Sequence, residues 1–360
     1  MNTATVTWIN FENNGTFLQA YALQQAIRNM GHNNVILDDR HIQELNKVKP
    51  NLNYYIGRII VWVKSVIHLA PPSVSSMTHT YYENFRKKYL SIYENVDYVN
   101  KFDAYICGSD QIWSPYLPFV GYYYLDFTTK KKIAYAPSVG TRICNEEYKK
   151  KVTPCLNSFS YLSTREQAGK DLLKQLTSKP VKVVVDPTLL LRREDWEQLV
   201  DTNINEDYVF CYILTPNIGY INHAIELAHR NHMRLKIFYT SPTFYKYRSD
   251  VVFGGPKEFL TYIKYAKIVL TDSFHATVFS LIYQRDFITY KRFKDGGEKD
   301  QNARIYNLLK PLHLEDRFVG EDELSLVENR KTIDYDSVNK TMEDIRIDSL
   351  DYLNQALSDE

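Results

Sequence analysis

The residues best placed to do chemistry stand in polar knots, each at the end of a short apolar run. In the stretch 266–290, Ile268-Val269-Leu270 reads as a buried parallel strand. Thr271-Asp272-Ser273 follows, and Asp272 or Ser273 is the expected cap of a helix over 274–283. That helix is apolar on nearly every side, so it should be buried. A second strand over 286–290 closes a β-α-β unit. At its strand-to-helix junction, free N–H groups and the positive end of the helix dipole converge, which suits an anion. His275 sits in this first turn. Periodicity alone makes it a hydrogen-bonded core histidine, because it shares a helical face with Phe279 and Ile282.

Other junctions repeat the pattern. A strand over 6–9 leads through Asn13-Asn14-Gly15-Thr16 into a helix over 16–30 that carries Gln19, and Gly31 stops that helix. A strand over 103–107 delivers Gly108-Ser109-Asp110-Gln111, and one over 132–136 delivers Ser138-Val139-Gly140. Arg165 opens a helix that runs to 176. A strand over 181–185 ends at Asp186-Pro187, which reads as a structural turn. After a connector over 191–205, a strand over 208–214, a helix over 219–231, a strand over 235–239 and a helix over 256–265 lead to the 266–290 unit. Lys291 and Arg292 follow its last strand, and Arg304 stands at the start of a helix over 303–309.

Strand–helix alternation of this kind indicates an α/β protein with two doubly wound, Rossmann-like domains. The expected division is a first domain over 1–190, the connector, a second domain over 206–314, and a tail over 315–360. The tail's helix puts Val338, Met342, Ile345, Leu353 and Leu357 on one stripe, expected to pack back across the first domain. Ligands in such sheets bind beyond the strand carboxyl ends, so the junctions at Asn14, Ser109, Arg165, Asp272 and Lys291 should face one cleft.

Composition narrows the function. A chain of 360 residues with net charge +1 has no overall field that favours nucleic acid or membrane. The four cysteines show no CxxC or Cys/His spacing, so no metal site is expected. Asn13 to Thr16 is not a GxGxxG fingerprint, and no nicotinamide cofactor is read from it. Reduced thiols and the lack of a signal segment make the cytoplasm the expected compartment. The 29 tyrosines and 17 phenylalanines suit both sugar-binding faces and cores. The apolar segment 54–69 is too short and too charged to span a bilayer; a buried helix is expected, with a helix lying on the inner membrane face as the alternative.

Six segments carry a resemblance: NNGTFLQAYAL from Asn13, FDAYICGSDQIW from Phe102, KKIAYAPSVGT from Lys131, STREQAG from Ser163, VVVDPTLLL from Val183 and LTDSFHATVFS from Leu270. In this order the chain resembles the polysaccharide pyruvyl transferases over most of its first 310 residues. It departs from the family in having Ala276 after the histidine and Asn14 before the early glycine. The resemblance implies a fold like that of B-type glycosyltransferases. It also implies transfer of an enolpyruvyl unit from phosphoenolpyruvate to two hydroxyls of a sugar, giving a pyruvate ketal and phosphate without a cofactor. The acceptor is then expected to be a lipid-linked oligosaccharide for a surface polysaccharide.

In that chemistry His275 would bind phosphate or act as the acid, and Asp110 or Asp272 would be the base. Arg165, Ser273, Lys291, Arg292 and Arg304 would bind the donor; Asn14, Gly15, Gln19, Ser109 and Gln111 would bind the acceptor. Each has a plainer role as well: an ion pair for Arg165, a helix cap for Asp272, turn stabilisation for the amides. Two other functions remain open at this point: a nucleotide-sugar glycosyltransferase on the same architecture, and a non-catalytic carbohydrate-binding protein.

Overall fold

The computed structural model describes residues 1–40, 42, 71–200, 203–293 and 302–359. In the first half of the chain, β1 (Asn2–Val6), β2 (Asn33–Leu37), β3 (Ile92–Tyr93), β4 (Ala104–Cys107) and β5 (Lys131–Ala134) form a sheet in the order β3-β2-β1-β4-β5. A parallel pair, β6 (Leu162–Thr164) and β7 (Val181–Val183), lies beyond β5, joined to it by a bridge between Ile133 and Tyr161. In the second half, β8 (Tyr208–Tyr212), β9 (Arg234–Phe238), β10 (Val251–Val252), β11 (Ile268–Thr271), β12 (Asp286–Tyr290) and β13 (Phe318–Val319) take the order β10-β9-β8-β11-β12-β13. Counted from one, that is the 3-2-1-4-5-6 order of Rossmann-type sheets.

Every ladder is parallel, for example Thr5 beside Ile106 and Leu270 beside Cys211. The strands at the centre are buried on both faces, which is why β4 and β8 read as unbroken apolar runs. In each sheet the order reverses between two central strands, β1 and β4 in one and β8 and β11 in the other. The loops leaving these four strands therefore part to opposite faces and leave a crevice.

The helices among the described residues include α1 (Asn14–Asn29), α2 (Val74–Tyr89), α3 (Glu146–Asn157), α4 (Gln167–Leu176), α5 (Arg193–Glu197), α6 (Ile218–Arg230), α7 (Pro256–Tyr265), α8 (Phe274–Ile282), α9 (Ala303–Leu309) and α10 (Tyr335–Ser358). The sequence sets their ends locally. The Asn13 side chain accepts from Thr16 N at 3.2 Å to start α1, and Gly31, at φ +84°, follows its end. Ser273 caps α8 by accepting from Ala276 N at 3.4 Å.

The two halves are packed, not merely tethered. Tyr21 of α1 meets Trp196 of α5 at 5.7 Å, and Trp196 meets Phe279 of α8 edge-on at 4.8 Å, within one apolar cluster that runs through both halves. The long α10 crosses between them. Val338 and Met342 join that cluster, while Tyr352, Leu353, Ala356 and Leu357 pack against Ala104, Ile106 and Ile133 of the first sheet.

The first strand is displaced from its expected place. It spans Asn2–Val6 instead of 6–9, because residues 2–5 pair with β2 and 3–6 with β4, while Trp8 belongs to the loop beyond. The edge strands β3, β10 and β13 were not anticipated; two residues leave no alternation to read. Segment 54–69 and the turn at 295–297 lie outside the described residues. Among the described residues no helix is long and apolar enough to cross a membrane, and no group of three or more His, Cys, Asp or Glu could hold a metal ion.

Candidate active site between the two sheets

The crevices of the two sheets face each other across a cleft of about 410 Å³. Trp8, Phe11, Asn14, Asp110 and Gln111 line it from the first half, and Asp272, Ser273, His275, Arg292 and Arg304 from the second. The amino ends of α1 and α8 meet here. Their approach is close because residue 15 is glycine: a Cβ on Gly15 would lie 2.0 Å from His275 Nδ1 and 2.4 Å from its Cγ. Gly15→Ala is expected to push the imidazole aside and cut activity far more than it lowers the melting temperature. Comparing activity with a thermal melt checks this.

Three segments distant in sequence converge on one carboxylate, that of Asp186. Its Oδ2 accepts from Arg165 Nη1 at 2.5 Å and from Ser109 Oγ at 3.2 Å, and lies 3.5 Å from His275 Nε2. Its Oδ1 takes the N–H and hydroxyl of Thr188 at 3.0 and 2.6 Å. Burial opposes the charge, but the His275 ring and the Arg165 guanidinium outweigh it and hold the carboxyl well below the usual range. The structural turn expected at Asp186 is present, since it caps the short 3₁₀ turn Pro187–Leu189. Its second role, anchoring Arg165 and His275, was missed. An acid buried at a strand end was the available signal.

Arg165 is almost wholly enclosed and stacks on the Phe274 ring at 4.4 Å. Its Nε and Nη2 make no hydrogen bond, and Glu166 Oε2 lies 3.9 Å from Nε. Burial works against its charge, and the carboxylates of Asp186, Glu166 and Asp110 raise its pKa all the same. Arg165 does not line the main cleft. It lines a smaller cavity of about 220 Å³ behind, which shares Phe274 and Arg304 with the cleft. Arg304 thus stands where the two spaces meet, and burial, with Arg165 and Arg292 acting in the same sense, brings its pKa down to about 10. A cation disfavoured in this way is stabilised when an anion arrives.

Asp110, in the left-handed conformation at φ +66°, faces the cleft and accepts from Thr16 Oγ1 at 2.6 Å and Gln111 N at 2.8 Å. Asp272 differs from expectation. Ser273 caps the helix, while the Asp272 oxygens take the N–H groups of Leu214 and Thr215 at 2.6 and 2.9 Å, tying the loop after β8 to that after β11. Burial raises its pKa, with Arg292 and these N–H groups pulling the other way. Both oxygens hold backbone N–H groups and the side chain is fully enclosed, so Asp272 braces the two loops. Asp272→Ala should cost about 1–3 kcal/mol for each N–H left buried and unpaired. Denaturant unfolding measures that loss.

Several expected contacts lie elsewhere. Gln19 is fully buried, donating to Thr7 Oγ1 and Thr16 O and accepting from Ser109 N. Ser109 donates to Ala136 O and Asp186. Both amide and hydroxyl shape the junction from beneath and do not line the cleft. Asn14 does line it, but Tyr82 OH donates to its oxygen at 2.8 Å and its nitrogen reaches Tyr212 OH at 3.4 Å, so it joins the halves. Lys291 points to Glu323 at 3.2 Å, outside the cleft lining, whereas Arg292 lines it, 3.6 Å from Asp272. Sequence reasoning did not single out Trp8, Phe11 or Tyr82; the aromatic excess was the signal, without a location.

Facing Rossmann-type sheets, a cleft at their switch points and a carboxyl-terminal helix that returns to the first domain define the two-domain architecture of B-type glycosyltransferases. S. aureus MnaA, determined with UDP, superposes with a TM-score of 0.53 at 11% identity, over 100% of this chain and 99% of that one. A glycosyltransferase from Rickettsia africae ESF-5 gives a TM-score of 0.49 at 11% identity, over 100% of this chain and 99% of its own. No curated protein matches the chain. Residues 15–291 match the polysaccharide pyruvyl transferase family, and the chain belongs to it.

Proposed function

We propose that the protein transfers the enolpyruvyl unit of phosphoenolpyruvate to two hydroxyls of a sugar in a surface-polysaccharide precursor, forming a pyruvate ketal. The observation that carries this reading is the cation set at the domain junction. Arg304 and Arg292 line the cleft beside His275 and the amino end of α8, with Arg165 directly behind. A small molecule bearing a phosphate and a carboxylate matches that charge, and a neutral sugar alone does not.

In the reaction, one sugar hydroxyl gives its proton to the base and bonds to the central carbon of the enolpyruvyl unit, while the methylene carbon takes a proton from the acid and becomes methyl. The bond to the phosphate oxygen breaks and phosphate leaves with its electron pair. The second hydroxyl then bonds to the same carbon and gives up its proton, closing the ketal. No cofactor enters this scheme. His275 Nε2 is directed at Asp186 from 3.5 Å without a hydrogen bond, and Nδ1, beside Gly15, is left to carry the proton or hold the phosphate. Asp110, on the acceptor side of the cleft, is the base, and Arg304, Arg292 and Ser273 hold the donor. Arg165 acts from behind as a positioning residue through Asp186. The acceptor ring lies toward Trp8 and Phe11, the latter 60% exposed at the cleft wall.

The test is to supply candidate lipid-linked sugars with phosphoenolpyruvate, follow phosphate release, and locate the ketal by mass spectrometry and NMR. Consumption of UDP- or GDP-sugars in place of phosphoenolpyruvate would make the protein a nucleotide-sugar glycosyltransferase instead.

A further inference from the structure

A separate hollow of about 620 Å³ opens at the other end of the second sheet. Its lining includes Ile268 and Asp286, the first residues of β11 and β12, whereas the cleft stands at the carboxyl ends of the same strands. Strands of this length put the two spaces on the order of 15 Å apart.

Four cationic residues line the hollow: Arg230 at the end of α6, Arg317, Arg330 and Lys331. Among the described residues its lining includes one acid, Asp286, which accepts from Arg317 Nη1. Arg317 is 2% exposed and also donates to Lys331 O, yet its Nε makes no hydrogen bond; Asp316 Oδ2 lies 3.8 Å from it. Arg330 donates to Val327 O at 2.7 Å and Phe287 O at 3.3 Å. Burial, reinforced by Arg317 and only partly offset by Asp286 and Asp316, lowers its pKa to about 10. One buried guanidinium, one half-buried guanidinium and two exposed cations thus surround the space, set against Asp286 in its lining, Asp316 beside Arg317 and Glu226 at 3.9 Å from Arg230. The remaining wall is apolar, with Leu227, Ile333 and Tyr335. The volume suits a small organic ligand, and a bare inorganic anion would fill only part of it.

We infer that this hollow binds a phosphorylated small molecule, its phosphoryl oxygens on Arg230, Arg330 and Lys331 and its organic body against Leu227, Ile333 and Tyr335. The site is distinct from the cleft and does not depend on the pyruvyl-transfer reading. Arginine forks match phosphoryl oxygens, and the neighbouring apolar wall gives the rest of the ligand a surface to cover.

Calorimetric titration of the full chain at fixed ionic strength tests this with three probes: inorganic phosphate, glucose 6-phosphate and UMP. At least one of the two organic phosphates should bind about tenfold or more tightly than inorganic phosphate. That affinity should fall by about tenfold or more in a double variant carrying Arg230→Ala and Lys331→Ala, whose side chains are exposed and whose loss leaves the core intact. It should be unchanged in Arg292→Ala, which alters the cleft. The inference is overturned if neither organic phosphate binds better than inorganic phosphate. It is equally overturned if binding survives the double variant or disappears with Arg292→Ala.

Discussion

His275→Ala is expected to lower the proposed ketal formation by about 10²–10⁴-fold, the usual contribution of a positioned acid or base. The variant melts close to wild type, because the ring touches the cleft and the small Gly15 and fills no deep apolar space. Rates with phosphoenolpyruvate and a ketal-accepting sugar, set beside a thermal melt, provide the check. Full activity in a well-folded variant would remove the imidazole from the mechanism. The size of the expected effect follows from where the ring is held: it lines the cleft, with Nε2 3.5 Å from Asp186 and Nδ1 beside Gly15.

Asp186→Asn is the second large effect, and it reaches both stability and rate. The substitution leaves Arg165 buried beside a neutral amide, and breaking a buried pair from one side costs about 3–5 kcal/mol. Urea unfolding should show that loss. Activity should also fall, because His275 loses the carboxylate that orients it. The same pair has a pH signature. The folded carboxyl titrates well below its unfolded value, so the stability it contributes is complete above the unfolded pKa of about 3.9 and is lost progressively as pH falls below it. Wild type should therefore lose stability in acid through this group, and Asp186→Asn, already lacking the contribution, should show a shallower acid limb. Parallel acid limbs for the two proteins would place the charge elsewhere.

Much of the framework was legible in the chain because double burial leaves a plain trace. β8, β11 and α8 are enclosed, and their residues are correspondingly apolar. The junctions were legible as well, since polar, small residues recur where strands end. What the pattern did not carry was the direction in which each side chain leaves its loop. Ser109 and Asp110 are neighbours, yet one turns beneath the junction to Ala136 O and the other turns to the cleft. Lys291 and Arg292 part in the same way, toward Glu323 and toward Asp272. Asp186 shows the complementary failure. Its turn was visible in Asp-Pro-Thr, but the partners that give it a second role come from positions 109, 165 and 275, and only the fold brings them together.

The proposed seat for phosphoenolpyruvate is the junction of the two domains. Calorimetric titration of phosphoenolpyruvate into the wild-type protein and into Arg304→Ala measures this directly. Phosphoenolpyruvate should bind the wild type, and that binding should weaken by about tenfold or more when the guanidinium at 304 is removed. Absence of binding to the wild type, or equal affinity in the two proteins, would contradict it.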